Sequence, residues 1–494
     1  MVRRAYLIVF FFCIFLSFLP FLLRETHFPT DDLGRHITNG RVFLEGNTHI
    51  LFQNVYSYTH TEYPFLNHHW LTGVVYAILD RQWGLPSLYL LNSVLLLCSY
   101  LFTMLHVRTK SDRILTLLFS IPIFMLFSYR PTIRPEVFGY FFLAYMTFRW
   151  SLVRKEQYWS WTESIFYSIL MILWVNLHIS FILGVFVLSM MMIDHRENLR
   201  NNKSHLLRFL LPMMVTILNP STLLGMIYPL KMFFNYGYPI AENMTPFFMM
   251  QVQFDLRLFF AILLLIVAVV CLFFTAFQKN VARLSDWITV CTASIFLFFS
   301  VRYLPVFAIL ALPILAGWIS RIPRIRFFAQ QMRSFPYVFY AICMVVVMLF
   351  TTAIGFGVVS PSVAWWHVNL QQNPDQFVCI NTFLEHHRTG AIFNDFDVGG
   401  FLDYTIFPEH RVFVDNRPDA FPARFFTEEY IPMQENEEKW AQALEKYRFQ
   451  TIIFSTNDMT PWARTFLFHR LQDPEWEVLC SDQHLTIFLR SAEK

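Results

Sequence analysis

Up to about residue 360 the chain alternates long apolar runs with short polar turns, and beyond it the apolar residues come in brief strand-like and helix-like groups. A helix needs about 20 apolar residues to cross a hydrocarbon core of ~30 Å. Runs over 5–23, 85–107, 114–128, 137–153, 206–218, 256–277, 287–300, 304–319 and 337–356 are read as spans. The 165–193 run has a polar break at Asn176-Leu177-His178 and is expected as two short helices with an outward apex. The 67–81 segment is only weakly apolar, is bounded by histidine and charge, and is predicted to be a helix lying in the interface.

Charge fixes the orientation. Arg3 and Arg4, then Arg108, Lys110 and Arg113, then Arg154 and Lys155, then Arg196, Arg200 and Lys203, then Lys279 and Arg283, then Arg321, Arg324, Arg326 and Arg333 all fall on one side only if 67–81 does not span. The positive-inside rule makes that side cytoplasmic. The expected fold is a polytopic α-helical membrane protein of about 11 spans: a transmembrane domain over 1–359 with an outer loop at 24–84, then an extracytoplasmic α/β domain over 360–494. In that last domain 391–393, 411–414 and 451–454 are predicted as buried strands. Helices are expected over 435–447 and 461–471, with an edge hairpin from 477–479 to 485–489.

Composition agrees with this picture. Of 494 residues 55% are hydrophobic and 15% charged, against about 25% charged in soluble domains. A net charge of +3 without a basic block excludes a nucleic-acid partner. Arg3 and Arg4 before an apolar run resemble a signal peptide, but no small-residue cleavage site follows, so the run is read as retained. Five of the seven cysteines lie in apolar runs as packing residues. Cys379 and Cys480 lie in the polar C-terminal part, where a bridge and two free thiols are both open.

Under this topology the unusual polar residues gather at the outer surface: Asp31, Asp32, Arg35, His36, His68, His69, Arg130, Arg134, Glu136, Asn176, His178, Asn219, Lys231, Glu242 and Arg302. Ionisable groups at membrane depth are expensive and line cavities or pathways. Asp31 or Asp32 alone reads equally well as a helix cap, and Arg302 alone as a snorkelling residue. Acids, histidines and arginines contributed by many loops to one leaflet point instead to glycosyl transfer from a polyprenyl-phosphate sugar. Its phosphate leaving group needs cations rather than a general acid, arginine forks suit that phosphate, and the acceptor hydroxyl needs one base. A single carboxylate with no covalent intermediate implies inversion.

The motifs Asp32-Leu33-Gly34-Arg35-His36 with Gly40, Tyr56-Ser57-Tyr58-Thr59, His69-Trp70-Leu71, Arg134-Pro135-Glu136, Trp174-Val175-Asn176-Leu177-His178 and Leu218-Asn219-Pro220 resemble the GT-C superfamily of integral-membrane glycosyltransferases, more narrowly a bacterial subgroup of multi-span GT-C-like proteins. The resemblance implies a hexosyl or pentosyl transferase of the bacterial inner membrane, with its N-terminus cytoplasmic and C-terminal domain periplasmic. Its partners would be a polyprenyl-phosphate-sugar donor, membrane lipid, and a glycan, lipid or protein acceptor. It makes Asp32 the catalytic acid of the first outer loop, with Asp31 second, and places His69 where the family has an acid before Trp-Leu. Asn394-Asp395-Phe396-Asp397-Val398-Gly399-Gly400 and Phe413-Val414-Asp415-Asn416-Arg417 look faintly like the Trp-Trp-Asp-Tyr-Gly region of oligosaccharyltransferases without its tryptophans. That adds Asp397, Asp415 and Arg417 to the candidate substrate contacts, although such residues are also ordinary turn formers. Asp31, Asp32 and Glu136 offer oxygens to a divalent cation; with arginines present no cofactor is expected. A transporter or flippase of lipid-linked sugars would place its charges at midplane in two related halves, and neither is found. A non-catalytic glycan-binding or assembly protein is the third reading.

Overall fold

The computed structural model describes residues 27–130, 132–153, 159–201, 203–233, 237–278, 282–334, 345, 349, 373–387 and 389–491. The expected first span, 5–23, lies outside the described residues, and so does the expected last span, 337–356, apart from residues 345 and 349. The chain is mostly helical with a small C-terminal sheet, and it divides into two compact units. One comprises the described parts of Tyr89–Asn219 and Ile240–Leu370; the other those of Glu25–Leu88, Pro220–Pro239 and Gln371–Lys494.

The first unit is helical. Several of its helices begin where a side chain answers the unpaired N–H groups of a first turn. Asp112 accepts from Ile114 and Leu115 at the start of Arg113–Phe127, and Ser160 with Glu163 closes a capping box at Trp161–Leu177. The 165–193 run is two helices as expected, Trp161–Leu177 and Phe181–Asp194, broken at His178. The 304–319 run departs from expectation. It bends by 48° between Val301–Leu310 and Leu312–Ile319, because Pro313 has no N–H for the turn before it. Every residue from Leu304 to Trp318 is buried, the mark of a helix apolar on all sides. Among the described residues, two helices, Leu85–Lys110 and Leu256–Ala276, are long and apolar enough to cross a membrane, or up to four if each bent pair is one span. The shorter apolar helices Arg113–Phe127, Trp161–Leu177, Phe181–Asp194 and Leu284–Phe299 have 14–17 residues, which at 1.5 Å per residue falls short of ~30 Å.

In the second unit, helices Leu33–Leu44 and Trp70–Trp83 cross with their backbones in contact. A Cβ on Gly40 would lie 1.9 Å from the Gly73 carbonyl oxygen, so the crossing requires glycine on both sides. The C-terminal segment forms a four-stranded sheet of β1 (Ala391–Asn394), β2 (Phe449–Ser455), β3 (Trp476–Ser481) and β4 (Leu485–Arg490), ordered β1-β2-β4-β3. β1 and β2 are parallel and the other pairs antiparallel, so the expected hairpin is at one edge. Phe393, Phe413, Trp440, Phe449, Phe454 and Phe466 fill the core against it.

The expected strand at 411–414 is buried but joins no sheet. The Asn394 side chain accepts from Phe413 N–H at 2.9 Å and donates to the Val414 carbonyl at 2.7 Å, taking the place of a partner strand. Val412 instead exchanges backbone bonds with Tyr56 and Tyr58. Cys379 and Cys480 are disulfide-bonded across 101 residues of sequence, which settles the question the sequence left open.

Candidate functional site

Asp31 and Asp32 are adjacent but do different work. Asp31 is buried, and its Oδ1 accepts from the Leu33 N–H at 3.0 Å, so it supplies the capping bond at the start of Leu33–Leu44. Asp32 makes no capping bond. Its Oδ1 accepts from Asn416 Nδ2 at 2.6 Å and faces Arg35 Nη2 at 3.6 Å, while Arg35 Nε donates to Asn416 Oδ1 at 2.7 Å. Arg35 reaches the same carboxylate because residues three apart share a helix face. The Asp32 side chain keeps 24% exposure whereas Arg35 keeps 8%, so the acid faces solvent more than its arginine does.

Asn416 arrives there on a tightly built turn. A Cβ on Gly399 would meet Asp415 Cα at 2.4 Å, and one on Gly400 would meet Asn416 Nδ2 at 2.7 Å. The Gly399-Gly400 pair therefore serves close approach of the helix Gly399–Thr405 to this turn. Behind it, Arg417 Nε donates to Asp415 Oδ1 at 2.9 Å and its Nη2 donates to Asp415 Oδ2 and, at 2.7 Å, to Asn54 Oδ1. The guanidinium lies over the Tyr56 and Phe65 rings, 4.8 and 4.6 Å from their centroids. Asp415 and Arg417 are buried and paired, while Arg417 Nη1 is buried with no hydrogen-bond partner among the described residues. Tyr56 donates to Asn39 Oδ1 at 2.8 Å. Asp403 completes the group: burial, and then the Asp415 charge, push its carboxyl well above the usual range against the pull of Arg417 and Arg35. The rings of His36 and His69 meet edge to face at 5.4 Å, and His68 packs 4.0 Å from His69 with burial pushing its imidazole below the usual range.

The first unit holds a second cluster. Glu136, in the first turn of the helix Glu136–Leu152, accepts from Arg130 Nε at 2.7 Å and also from its Nη2. Glu242 accepts from Arg130, Arg134 and Arg302 together. Burial alone would raise the Glu242 carboxyl, but Arg134, Arg130 and Arg302 outweigh it and hold it well below the usual carboxylate range.

Other predicted site residues lie elsewhere. Asn176, in the last turn of Trp161–Leu177, donates to the Ile172 and Leu218 carbonyls at 2.8 and 2.9 Å, and His178 Nδ1 accepts from Ser180 N–H at 3.1 Å within the break between two helices. Lys231 is exposed on the short helix Tyr228–Phe233. Asp397 donates its N–H to Asp395 at 3.2 Å, in a group of acids near Asp458 and Tyr430. Asn416 was missed as a site residue, and Glu242 was expected at the outer surface without an assigned role. Asn416 stood between Asp415 and Arg417, whose charges drew the attention, and an amide carries no charge signal. For the divalent cation, Asp31, Asp32 and Glu136 each commit oxygen to a protein donor: Leu33, Asn416 and Arg130. Among the described residues, the three side chains within reach of one metal are Cys379, Cys480 and Asp482, and the two cysteines are bonded to each other.

The fold that carries these clusters resembles that of solved archaeal oligosaccharyltransferases. The chain is similar to the archaeal oligosaccharyltransferase AglB from Archaeoglobus fulgidus in complex with an inhibitory peptide and a dolichol-phosphate, with a TM-score of 0.61 and 11% identity over 95% of this chain and 72% of that one. The Archaeoglobus fulgidus oligosaccharyltransferase tethered to an acceptor peptide containing the NVT sequon gives 0.60 at 11% identity, over 92% and 69%. Its apo form gives 0.58 at 11% identity, over 91% and 69%. No family model and no curated protein matches the sequence. The likeness is one of fold.

Proposed function

We propose that this chain is an inverting glycosyltransferase that moves a sugar from a polyprenyl-phosphate carrier to a glycan, lipid or protein acceptor at the outer face of a bacterial inner membrane. Asp32 is its general base. The observation that carries the reading is the Asp32 carboxylate oriented by Asn416 and Arg35 with 24% of its side chain exposed, on a fold similar to that of an oligosaccharyltransferase. A base of this kind must be oriented before it can take the acceptor's hydroxyl proton, and the Asn416–Arg35 clamp restrains it. Arg130, Arg134 and Arg302 are the proposed phosphate ligands; guanidinium forks stabilise the charge that builds on the departing phosphate. His36 and His69 are assigned to the sugar. Asp415 and Arg417 act through the turn they hold, and Asp31 through the helix start.

The test is Asp32→Asn in cells. It keeps the size of the side chain and leaves Asn416 an acceptor, while removing the base. Loss of surface glycan product by at least about 10²-fold, within the range general-base removal gives, with unchanged membrane abundance is expected. Product at near wild-type level would end the assignment.

A further inference from the structure

We infer that Glu242 is an internal anion seated in a phosphate site made by Arg130, Arg134 and Arg302, and that a phosphate-bearing ligand binds by taking its place. This rests on the proposed role of those arginines as phosphate ligands, and it adds what the site holds before the ligand arrives.

The guanidinium groups come from two distant parts of the chain: Arg130 and Arg134 from the connection between the helices Arg113–Phe127 and Glu136–Leu152, and Arg302 from the short helix Val301–Tyr303. Their convergence is therefore not local capping. Glu242 Oε1 lies 3.0 Å from Arg130 Nη1 in an ion pair and accepts from Arg134 Nη1; Oε2 accepts from Arg130 Nη2 at 3.2 Å and from Arg302 Nη2 at 2.8 Å. Two guanidinium contacts on each of two oxygens is how arginine forks grip a phosphoryl group.

The two glutamates are not equivalent. Glu136 is tied to Arg130 within a helix. Glu242 lies on the three-residue turn Ala241–Asn243, whose two flanking members are exposed. Its backbone is pinned separately, because its carbonyl accepts from Ser300 Oγ at 2.8 Å. The side chain is thus able to rotate away while the turn stays. Three arginines against two glutamates leave one positive charge; with Glu242 withdrawn two remain, matching a phosphate dianion. Arg302 Nε is buried and makes no hydrogen bond among the described residues, so a donor is left for an oxygen that Glu242 does not provide. The opposing reading makes Glu242 a permanent organiser that keeps the arginines from repelling one another.

The two part on one measurement. Binding of geranyl phosphate, inorganic phosphate and geraniol is titrated against the full chain in detergent, wild type and Glu242→Gln. Displacement predicts that the variant binds phosphate about tenfold tighter, because a competing charge is gone, with geraniol unchanged. A gain for both phosphate probes makes the ligand phosphate itself, a gain for geranyl phosphate alone makes it a lipid phosphate, and either supports the inference. Equal or weaker binding by the variant overturns displacement while leaving the arginines as phosphate ligands. A wild type that binds neither phosphate probe overturns both. Should the variant not fold, carbodiimide labelling of wild-type Glu242 must rise on adding geranyl phosphate; unchanged or reduced labelling overturns displacement.

Discussion

Arg417 and Glu242 each sit at the centre of an ion-pair cluster, one in each compact unit, and they differ in what closes the cluster. Around Arg417 the closure is complete: a buried carboxylate, an asparagine and two aromatic faces leave it 2% exposed. Around Glu242 the closure is made of charge alone, with side-chain exposures of 23% for the glutamate and 32% for Arg302. A buried pair of the first kind costs several kcal/mol to open, because the remaining charge has no solvent. A cluster of the second kind is able to exchange one anion for another at modest cost. In the second unit charge holds a shape, the turn that brings Asn416 to Asp32; in the first it is kept available.

The largest effect tests the shape-holding side. Gly40→Val drives a branched side chain into the Gly73 carbonyl, where even a Cβ would lie at 1.9 Å. The helices bearing Asp32, Arg35 and His36 on one side and His69 on the other must then separate. Overpacking costs 1–3 kcal/mol and occasionally more, and a backbone clash is the severe case, so a loss on the order of 3 kcal/mol or more is expected. Hydrogen exchange should show it in peptides covering 33–44 and 70–83, with 130–150 and 300–318 unaffected. Wild-type protection in 33–44 would show that the crossing has slack.

Next in size is a pair of matched truncations. Arg417→Ala strands the Asp415 charge and should cost about 3–5 kcal/mol. Arg302→Ala removes a partly exposed partner from a cluster that retains Arg130 and Arg134, and should cost about 1 kcal/mol or less. Thermal melting of both variants in one detergent checks the ratio. Similar losses would erase the distinction between the two clusters.

The helices of the first unit were legible because apolar periodicity survives any packing arrangement, and so was the break at His178. The bend in 304–319 was hidden because two prolines in an apolar run change its direction without changing its hydropathy. The 411–414 segment has a strand's composition, but its partner is the Asn394 side chain, which pattern alone does not reveal. The paired acids were visible and their division of labour was not: which of Asp31 and Asp32 caps the helix depends on backbone direction at the turn. The arginines Arg130, Arg134 and Arg302 were expected as cations awaiting a phosphate, and the sequence held no sign that Glu242 fills the space between them.

Acidity separates the clusters by sign. The Glu242 carboxyl is held below the usual range: burial opposes this and Arg134, Arg130 and Arg302 outweigh it. Between its folded and unfolded values the unfolded chain binds more protons, so the stability it contributes is present at neutral pH and lost as pH falls below about 4.5. Asp403 is the reverse. Burial and then Asp415 raise its carboxyl despite Arg417 and Arg35, so its contribution is present below about pH 4 and lost as pH rises through its folded value. Asp403→Asn should therefore change stability little at low pH and raise it at pH 7, by on the order of 1 kcal/mol. Glu242→Gln should lower stability at pH 7 and converge on wild type in acid. Opening free energies from hydrogen exchange of peptides over 399–417 and 240–246, taken between about pH 4 and pH 7, read the two separately. Slopes of the same sign would mean that Asp403 is ionised in the fold, paired with Arg417 or Arg35, and that both clusters are held together by charge alone.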